Sequence, residues 1–287
     1  MCVVFVCCFP DAQKVRKWLG QIEAALSSGH LTAGFASKLA GGLGWAATAI
    51  FRKLGRAMLA PLYWHAKSRC SAVTQKLSLC LRWWRQVLAC NIVQHHPWHE
   101  HEKSEWVQLF ADASSTPAHL GAVVVLGRKF FYTSWAVPSE LLSLFQFRRD
   151  NQIMGLELLA IALALDTFAD KIRGRRVRVW SDNTGSESAV RRGKAKAFDH
   201  GCIAHCIWLA AAELGIELRV DRVPTASNIA DLPSRREYSW LEEMGAVWVK
   251  PVMRRMFWNP VSWESLSFTV LQQRYWDPDY WKSPHGV

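Results

Sequence analysis

Apolar positions recur at helical spacing through the first third of the chain. Over 11–27, Val15, Trp18, Leu19, Ile22, Ala25 and Leu26 fall on one face and Gly29 follows, which predicts a helix stopping there. A second helix is expected from after Thr32 to Pro61, and a third over 71–92, where Arg82 and Arg85 flank Trp83 and Trp84. From Trp106 the period shortens. The stretches 106–114, 121–127 and 129–137 are β-rich and separated by turn residues, so three strands joined as hairpins are expected. A mostly apolar helix over 153–171, a buried strand over 177–182, a helix over 198–214, a strand over 217–224 and a short helix from near Asn228 complete the pattern. Strands alternating with helices around a mostly buried sheet make an α/β layered domain. The expected division is a helical region over 1–92, a His-rich linker over 93–104, the α/β domain over 105–240 and a Trp-rich tail over 241–287. In that tail Phe257-Trp258-Asn259-Pro260-Val261-Ser262-Trp263 is echoed by Tyr275-Trp276-Asp277-Pro278-Asp279-Tyr280-Trp281, which suggests two aromatic turns packed on the protein.

Composition narrows the class. Half of the 287 residues are apolar and 21% are charged, which excludes a wholly disordered chain and allows two folded domains. No apolar run approaches the roughly 18 residues a membrane helix needs. The amino terminus carries no basic residue before its apolar run, a poor secretory signal, and the eight cysteines are scattered. An intracellular protein with reduced thiols is expected. The net charge of +11 is unevenly placed: Lys and Arg outnumber Asp and Glu thirteen to four over 1–104, seventeen to fifteen over 105–240 and five to five over 241–287. A basic first third ahead of a nearly balanced middle reads as a nucleic-acid grip joined to a part with other chemistry.

That chemistry lies with four acids in costly places. Asp112 and Asp182 close strands, Glu157 sits inside an apolar helix, and Asp231 opens the last one. A buried carboxylate without a partner costs several kcal/mol or takes up a proton, and a cation removes that cost. Oxygen-only ligands at the carboxyl edge of an α/β sheet suit Mg²⁺ or Mn²⁺ rather than zinc.

The segments carrying these acids, Phe110-Ala111-Asp112-Ala113-Ser114, Glu157-Leu158, Trp180-Ser181-Asp182-Asn183 and Val223-Pro224-Thr225 through Asn228-Ile229-Ala230-Asp231-Leu232-Pro233-Ser234-Arg235, resemble in order the ribonuclease H domain of retroelement reverse transcriptases. The resemblance implies a five-stranded mixed sheet flanked by helices. It also implies hydrolysis of the RNA strand of an RNA/DNA hybrid by two Mg²⁺ or Mn²⁺ ions about 4 Å apart. Asp112 would bridge both ions, Glu157 and Asp182 would hold one, and Asp231 the other. In the first third, Lys38-Leu39-Ala40-Gly41-Gly42-Leu43-Gly44-Trp45-Ala46 resembles the thumb helix that tracks the primer-template minor groove, implying duplex contacts at Lys38, Gly41 and Trp45.

Two departures from the family pattern stand out. No adjacent Asp pair occurs, so the polymerase palm and fingers are not expected here, and the polymerase part of a reverse transcriptase becomes a possible partner. The mobile His that cellular relatives carry before the last Asp is replaced by Thr225-Ala226-Ser227. Arg191, Arg192, Lys194 and Lys196 follow Asp182 and are expected at substrate phosphates, whereas the run 171–178 reads as an exposed turn. The groups His95, His96, His99, His101 and His200, Cys202, His205, Cys206 lack the paired knuckles of a closed zinc site and read as a solvated linker and a packed helix. The alternative to an enzyme is a non-catalytic nucleic-acid-binding remnant of a retroelement polyprotein.

Overall fold

A computed structural model describes residues 5–8, 10–49, 52–89, 94–97, 105–143, 145 and 152–253. The described residues fall into two compact units, one within 5–97 and the other within 105–253. The repeated Trp motifs of the tail, His99 and His101 lie outside the described residues.

The first unit is helical with one strand pair. Helix α1 (Ala12–Ser28) starts where Asp11 Oδ1 accepts the Gln13 and Lys14 N–H groups at 2.9 and 3.0 Å, and ends at Gly29 with φ 66°, the left-handed cap that glycine favours. The helix expected to run unbroken to Pro61 is instead divided into α2 (Ala33–Ala49) and α3 (Ala60–Lys67). Arg52 and Lys53 take left-handed backbone angles, and the Lys53 N–H closes the end of α2 on the Ala47 carbonyl. Pro61 sits in the first turn of α3, where its missing N–H costs nothing. Helix α4 (Gln75–Ala89) begins later than the expected residue 71. Residues 71–73 are spent bonding back to Gly29 and Leu31. The linker expected from residue 93 begins as a strand: β2 (Gln94–Pro97) pairs antiparallel with β1 (Phe5–Cys8). A histidine-rich stretch carries no apolar alternation. Its strand character lies in a backbone ladder to a segment some ninety residues away.

The second unit is an α/β layer structure. Its strands are β3 (Val107–Ser115), β4 (Ala118–Leu126), β5 (Lys129–Ala136), β6 (Arg176–Ser181), β7 (Glu217–Arg222) and β8 (Val247–Trp248), in the order β7-β6-β3-β4-β5-β8. Strands β3, β4 and β5 form antiparallel hairpins, whereas β3, β6 and β7 run parallel. The sheet therefore has six strands where five were expected. After Gly245 turns the chain, β8 adds parallel to β5, and the Val249 N–H donates to the Tyr132 carbonyl at 2.8 Å. Leu241 locks this extension by packing with Val123 and Tyr132.

The connecting helices are α5 (Ser139–Leu142), α6 (Ile153–Thr167), α7 (Ala169–Ile172), α8 (Thr184–Arg192), α9 (Phe198–Glu213), α10 (Asp231–Ser234) and α11 (Ser239–Glu243). The helix expected over 153–171 is interrupted at Phe168, which caps both α6 and α7. Helices α6 and α8 pack on the sheet and α9 packs on both of them. Leu109, Ala111, Val124, Val177 and Val179 are thereby fully buried. On the opposite face α10 rests on β4 at Gly121, where a Cβ would collide with the Ser234 N and Ala230 O. No described helix is long and apolar enough to cross a membrane.

These two environments give opposite expectations for glycine replacement. Gly121→Ala should destabilise by about 2 kcal/mol, because backbone cannot yield as a flexible side chain can. Gly41→Ala, with nothing within 4 Å of the added atom, should stabilise α2 by up to about 1 kcal/mol. Thermal unfolding checks both, and melting shifts of the same sign would overturn this packing account.

Candidate metal centre

The β3–β6 register brings the first two acids together. Phe110 and Trp180 are the last parallel pair, and two residues further on stand Asp112, which lies inside β3 rather than closing it as expected, and Asp182, just past the end of β6. Glu157, on the first turns of α6, completes the group: one carboxylate oxygen from each of the three residues lies within 4.8 Å of the others. At that separation two unit charges repel by about 3.5 kcal/mol at an effective dielectric near 20. Asp112 and Glu157 are also 5% and 4% exposed, so water cannot screen them.

The titration of both acids records this. Burial, and then the charges of Asp182 and Asp231, push the Asp112 carboxyl up to about 7 against a hydrogen bond from Ser234. Burial, followed by the charges of Asp112 and Asp182, pushes Glu157 up to about 9, although the Ala113 N–H favours its ionised form. Glu157 Oε2 is a buried oxygen with no hydrogen-bond partner. An orphaned acceptor amid three converging carboxylates fits a divalent cation, which would offset the repulsion and supply the missing contact. The trio can hold a metal ion. Among the described residues it is the one group of three or more such side chains with this geometry.

Asp231 does not join that group. It opens α10 and turns to Arg235 one helical turn on, whose Nε donates to its Oδ1 at 2.7 Å. Its charge still reaches Asp112.

Two residues inside the Asn228-to-Arg235 segment act on the trio without having been singled out by sequence. The Asn228 side chain, 3% exposed, donates from Nδ2 to Asp112 Oδ1 at 3.3 Å, to Asp182 Oδ1 at 3.4 Å and to the Ala111 carbonyl at 3.3 Å. Its own Oδ1 accepts the Ala230 N–H at 3.3 Å, which fixes the amide with its donors toward the acids. Ser234 Oγ, 1% exposed, donates to Asp112 Oδ2 at 2.6 Å. Two neutral donors thus hold both oxygens of Asp112, and Gly121 is what lets α10 come close enough. The available signal was two polar residues in a segment otherwise set to pack. The loop before Asn228 is the exposed 3₁₀ turn Thr225–Ser227, without a titratable side chain.

The basic residues of the second unit expected at substrate phosphates lie at the end of α8 and beyond it. Arg191, paired with Glu187 at 2.8 Å, and the exposed Arg192 lie at the far end of α8, with exposed Lys194 and Lys196 beyond. Asn183 caps the near end, so a helix of nine residues, roughly 13 Å, separates them from Asp182. They are therefore not beside the trio. In the first unit Gly42 and Gly44 are explained by packing, since added Cβ atoms would meet the Trp18 ring at 2.7 Å and the Tyr63 hydroxyl at 3.1 Å. Gly41 has open space above it. It lies with exposed Lys38 and Trp45 on the outer stripe of α2, and Lys14 Nζ stands 5.4 Å from the Trp45 ring centre.

The histidine and cysteine group of α9 is buried in helix packing. His205 is pushed down to about 3 by burial, and the Cys202 and Cys206 side chains are each 3% exposed. In comparisons with known proteins, the chain matches no family model and no curated protein.

Proposed function

We propose that the second unit is a divalent-metal-dependent nuclease hydrolysing the RNA strand of RNA/DNA hybrids, and that the first unit grips the duplex. The observation that carries this reading is the convergence of Asp112, Glu157 and Asp182 on one point just past the last parallel pair of β3 and β6. Asp112, Glu157 and Asp182 would hold Mg²⁺ or Mn²⁺, with Asp231 at the margin of the site. The bound cation supplies charge for an attacking water and for the leaving 3′ oxygen. The protein's own contribution is orientation. Asn228 spans the two aspartates, and Ser234 holds the second oxygen of Asp112, so that the acids do not need to rearrange on binding. The resemblance to retroelement ribonuclease H assigns the reaction, and the ordered acids and the mixed α/β sheet support it.

The first unit supports a nucleic-acid partner through charge. Residues 10–89 carry twelve Lys or Arg against Asp11 and Glu23. The outer stripe of α2 adds an aromatic ring and an open glycine beside two lysines. Trp45→Ala should weaken hybrid binding with an unchanged salt dependence, because it removes packing and no charge. Lys14→Ala with Lys38→Ala should lower the log–log salt slope by about 1.8, at roughly 0.9 per phosphate contact. Gly41→Ala should bind more weakly although it folds more stably. If none of these alters binding, the basic unit is a solvated surface.

The direct test of the reaction is cleavage of a hybrid labelled on its RNA strand, with Mg²⁺ or Mn²⁺ and then with excess chelator. Metal-dependent cuts leaving a 3′-hydroxyl and 5′-phosphate are expected. Binding without cleavage under every metal condition would favour the non-catalytic remnant, in which the Asp231–Arg235 ion pair removes the fourth acid from the site.

A further inference from the structure

Parallel strands are normally covered on both faces, yet among the described residues β6 and β7 are covered on one. The face shared by Phe110, Asp112 and Gly121 is packed by α10 over β3, β4 and β5 and by Leu241 of α11 over β4 and β5. Toward β6 and β7 it stays open among the described residues. There Gln108, Arg178 and Trp180 are half-buried and Arg219 on the outer strand is exposed, with Phe110 at the border, packed against the Val123–Tyr132–Leu241 cluster. The run 171–178, read from sequence as an exposed turn, ends inside β6 and gives this face Arg176 and Arg178.

The face is built rather than merely bare. The Arg176 guanidinium lies 4.2 Å from the Trp106 ring centre, and Arg178 lies 5.4 Å from both the Trp106 and Trp180 rings. Phe110 and Trp180 stack at 6.3 Å with 22° between their planes. Trp180 Nε1 donates to Gln108 Oε1 at 2.8 Å, and Gln108 Nε2 donates to the Trp106 carbonyl at 2.7 Å, which fixes the rings. Arg176, Arg178 and Arg219 each meet a carboxylate, of Glu217 or Asp221, through Nε at 2.8 to 3.2 Å. Three guanidinium groups to two carboxylates leave the patch positive.

An apolar helix laid here would have to dehydrate all five charges, which is costly. A double helix would present backbone ridges to a flat array of rings. Unstacked bases suit it better, because they stack on aromatic and guanidinium planes while arginines meet the phosphates. The alternation of β3 and β6 gives direction: Phe110 precedes Asp112 by two residues and Trp180 precedes Asp182 by two. Phe110 and Asp112 therefore share one face of β3, with roughly 20 Å from Trp106 to Asp112, and Asp182 follows directly on the end of β6.

We propose that this open half-face binds single-stranded nucleic acid, with bases on Trp106 and Trp180 and phosphates at Arg176 and Arg219, on a path leading to the carboxylate trio. Binding stands on the sheet face alone, and delivery of that strand to the trio rests on the nuclease reading.

The test uses the full chain in EDTA with a short oligouridylate carrying 4-thiouridine. Crosslinks on peptides bearing Trp106 or Trp180 are expected. Trp180→Leu should weaken binding about tenfold, whereas Trp180→Phe should largely retain it. Arg176→Ala with Arg219→Ala, both at the surface, should lower the salt slope by about 1.4, at roughly 0.7 per contact on a single strand, even if Trp180→Leu fails to fold. Crosslinks confined to residues 10–89, or unchanged affinity and slope in these variants, would overturn the proposal. So would an Arg219→Glu change that alters only self-association by light scattering, since a second copy would then cover the face. No metal is present in these measurements, so an absence of hybrid cleavage in Mg²⁺ would sink the nuclease reading and leave this binding result standing.

Discussion

Asp182→Asn is expected to reduce metal-dependent hybrid cleavage by about a thousandfold or more, while hybrid affinity measured in chelator stays within about twofold. The size follows from what a bound divalent cation contributes to a developing charge, several kcal/mol at 1.36 kcal/mol per factor of ten. Asp182 is the cleaner of the two aspartate positions. Its Oδ1 meets only the Asn228 amide in the described contacts, whereas Asp112 also anchors Ser234. Asp112→Asn should abolish cleavage equally. It places an amide against the donors of Asn228 and Ser234, so some loss of stability accompanies it. Neither change removes a cation of the proposed grip, so binding is expected to survive both. Single-turnover cleavage alongside anisotropy in EDTA measures the two arms. Undiminished cleavage by Asp182→Asn would remove the trio from catalysis.

The second large effect is on stability. Glu157 is pushed up to about 9 when folded against an ordinary value of 4.5, and Asp112 to about 7 against 3.8. Between each pair of values the folded state binds more protons than the unfolded state, so stability falls as pH rises. For the metal-free protein the contribution is fully present below about pH 4 and is lost through the window closing near pH 9 for Glu157 and near 7 for Asp112. Melting temperature in chelator should therefore drop between pH 5.5 and 8.5 apart from any global acid effects, and saturating Mg²⁺ should flatten that drop. Glu157→Gln removes the ionisation that burial penalises. It should abolish cleavage and at pH 8 raise the metal-free melting temperature by several degrees, on the order of 2 kcal/mol. A marked fall instead would mean that Glu157 is an ionised member of a structural network.

Much of the site was written in local spacing. Asp182 directly follows an alternating strand and Glu157 interrupts a mostly apolar helix, both visible within ten residues, whereas Asp112, expected to close its strand, lies inside one that runs on to Ser115. What local spacing could not show was which acids meet. Asp231 has the same standing as the others in sequence, but a partner one helical turn away turns it aside. In sequence Asn228 and Ser234 are simply members of the segment that carries Asp231. They become ligands of the carboxylates only because α10 is seated on Gly121, on a strand more than a hundred residues earlier.

The same division runs through the fold. The sequence by itself determined α1 and its stop at Gly29, the change of period at Trp106, and the strand–helix alternation, since helix and strand periods and capping are properties of near neighbours. Tertiary structure alone decided the rest. The β1–β2 pair joins backbone segments without a shared pattern, and left-handed residues divide the helix expected to reach Pro61. Strand β8 extends the sheet because Leu241 finds a core. Among the described residues the half-face of β6 and β7 is open because α10 and α11 reach only β3, β4 and β5. Each of these depends on backbone pairing or on the approach of distant elements, whose free energy is set by register and fit between surfaces rather than by the order of residues within either one.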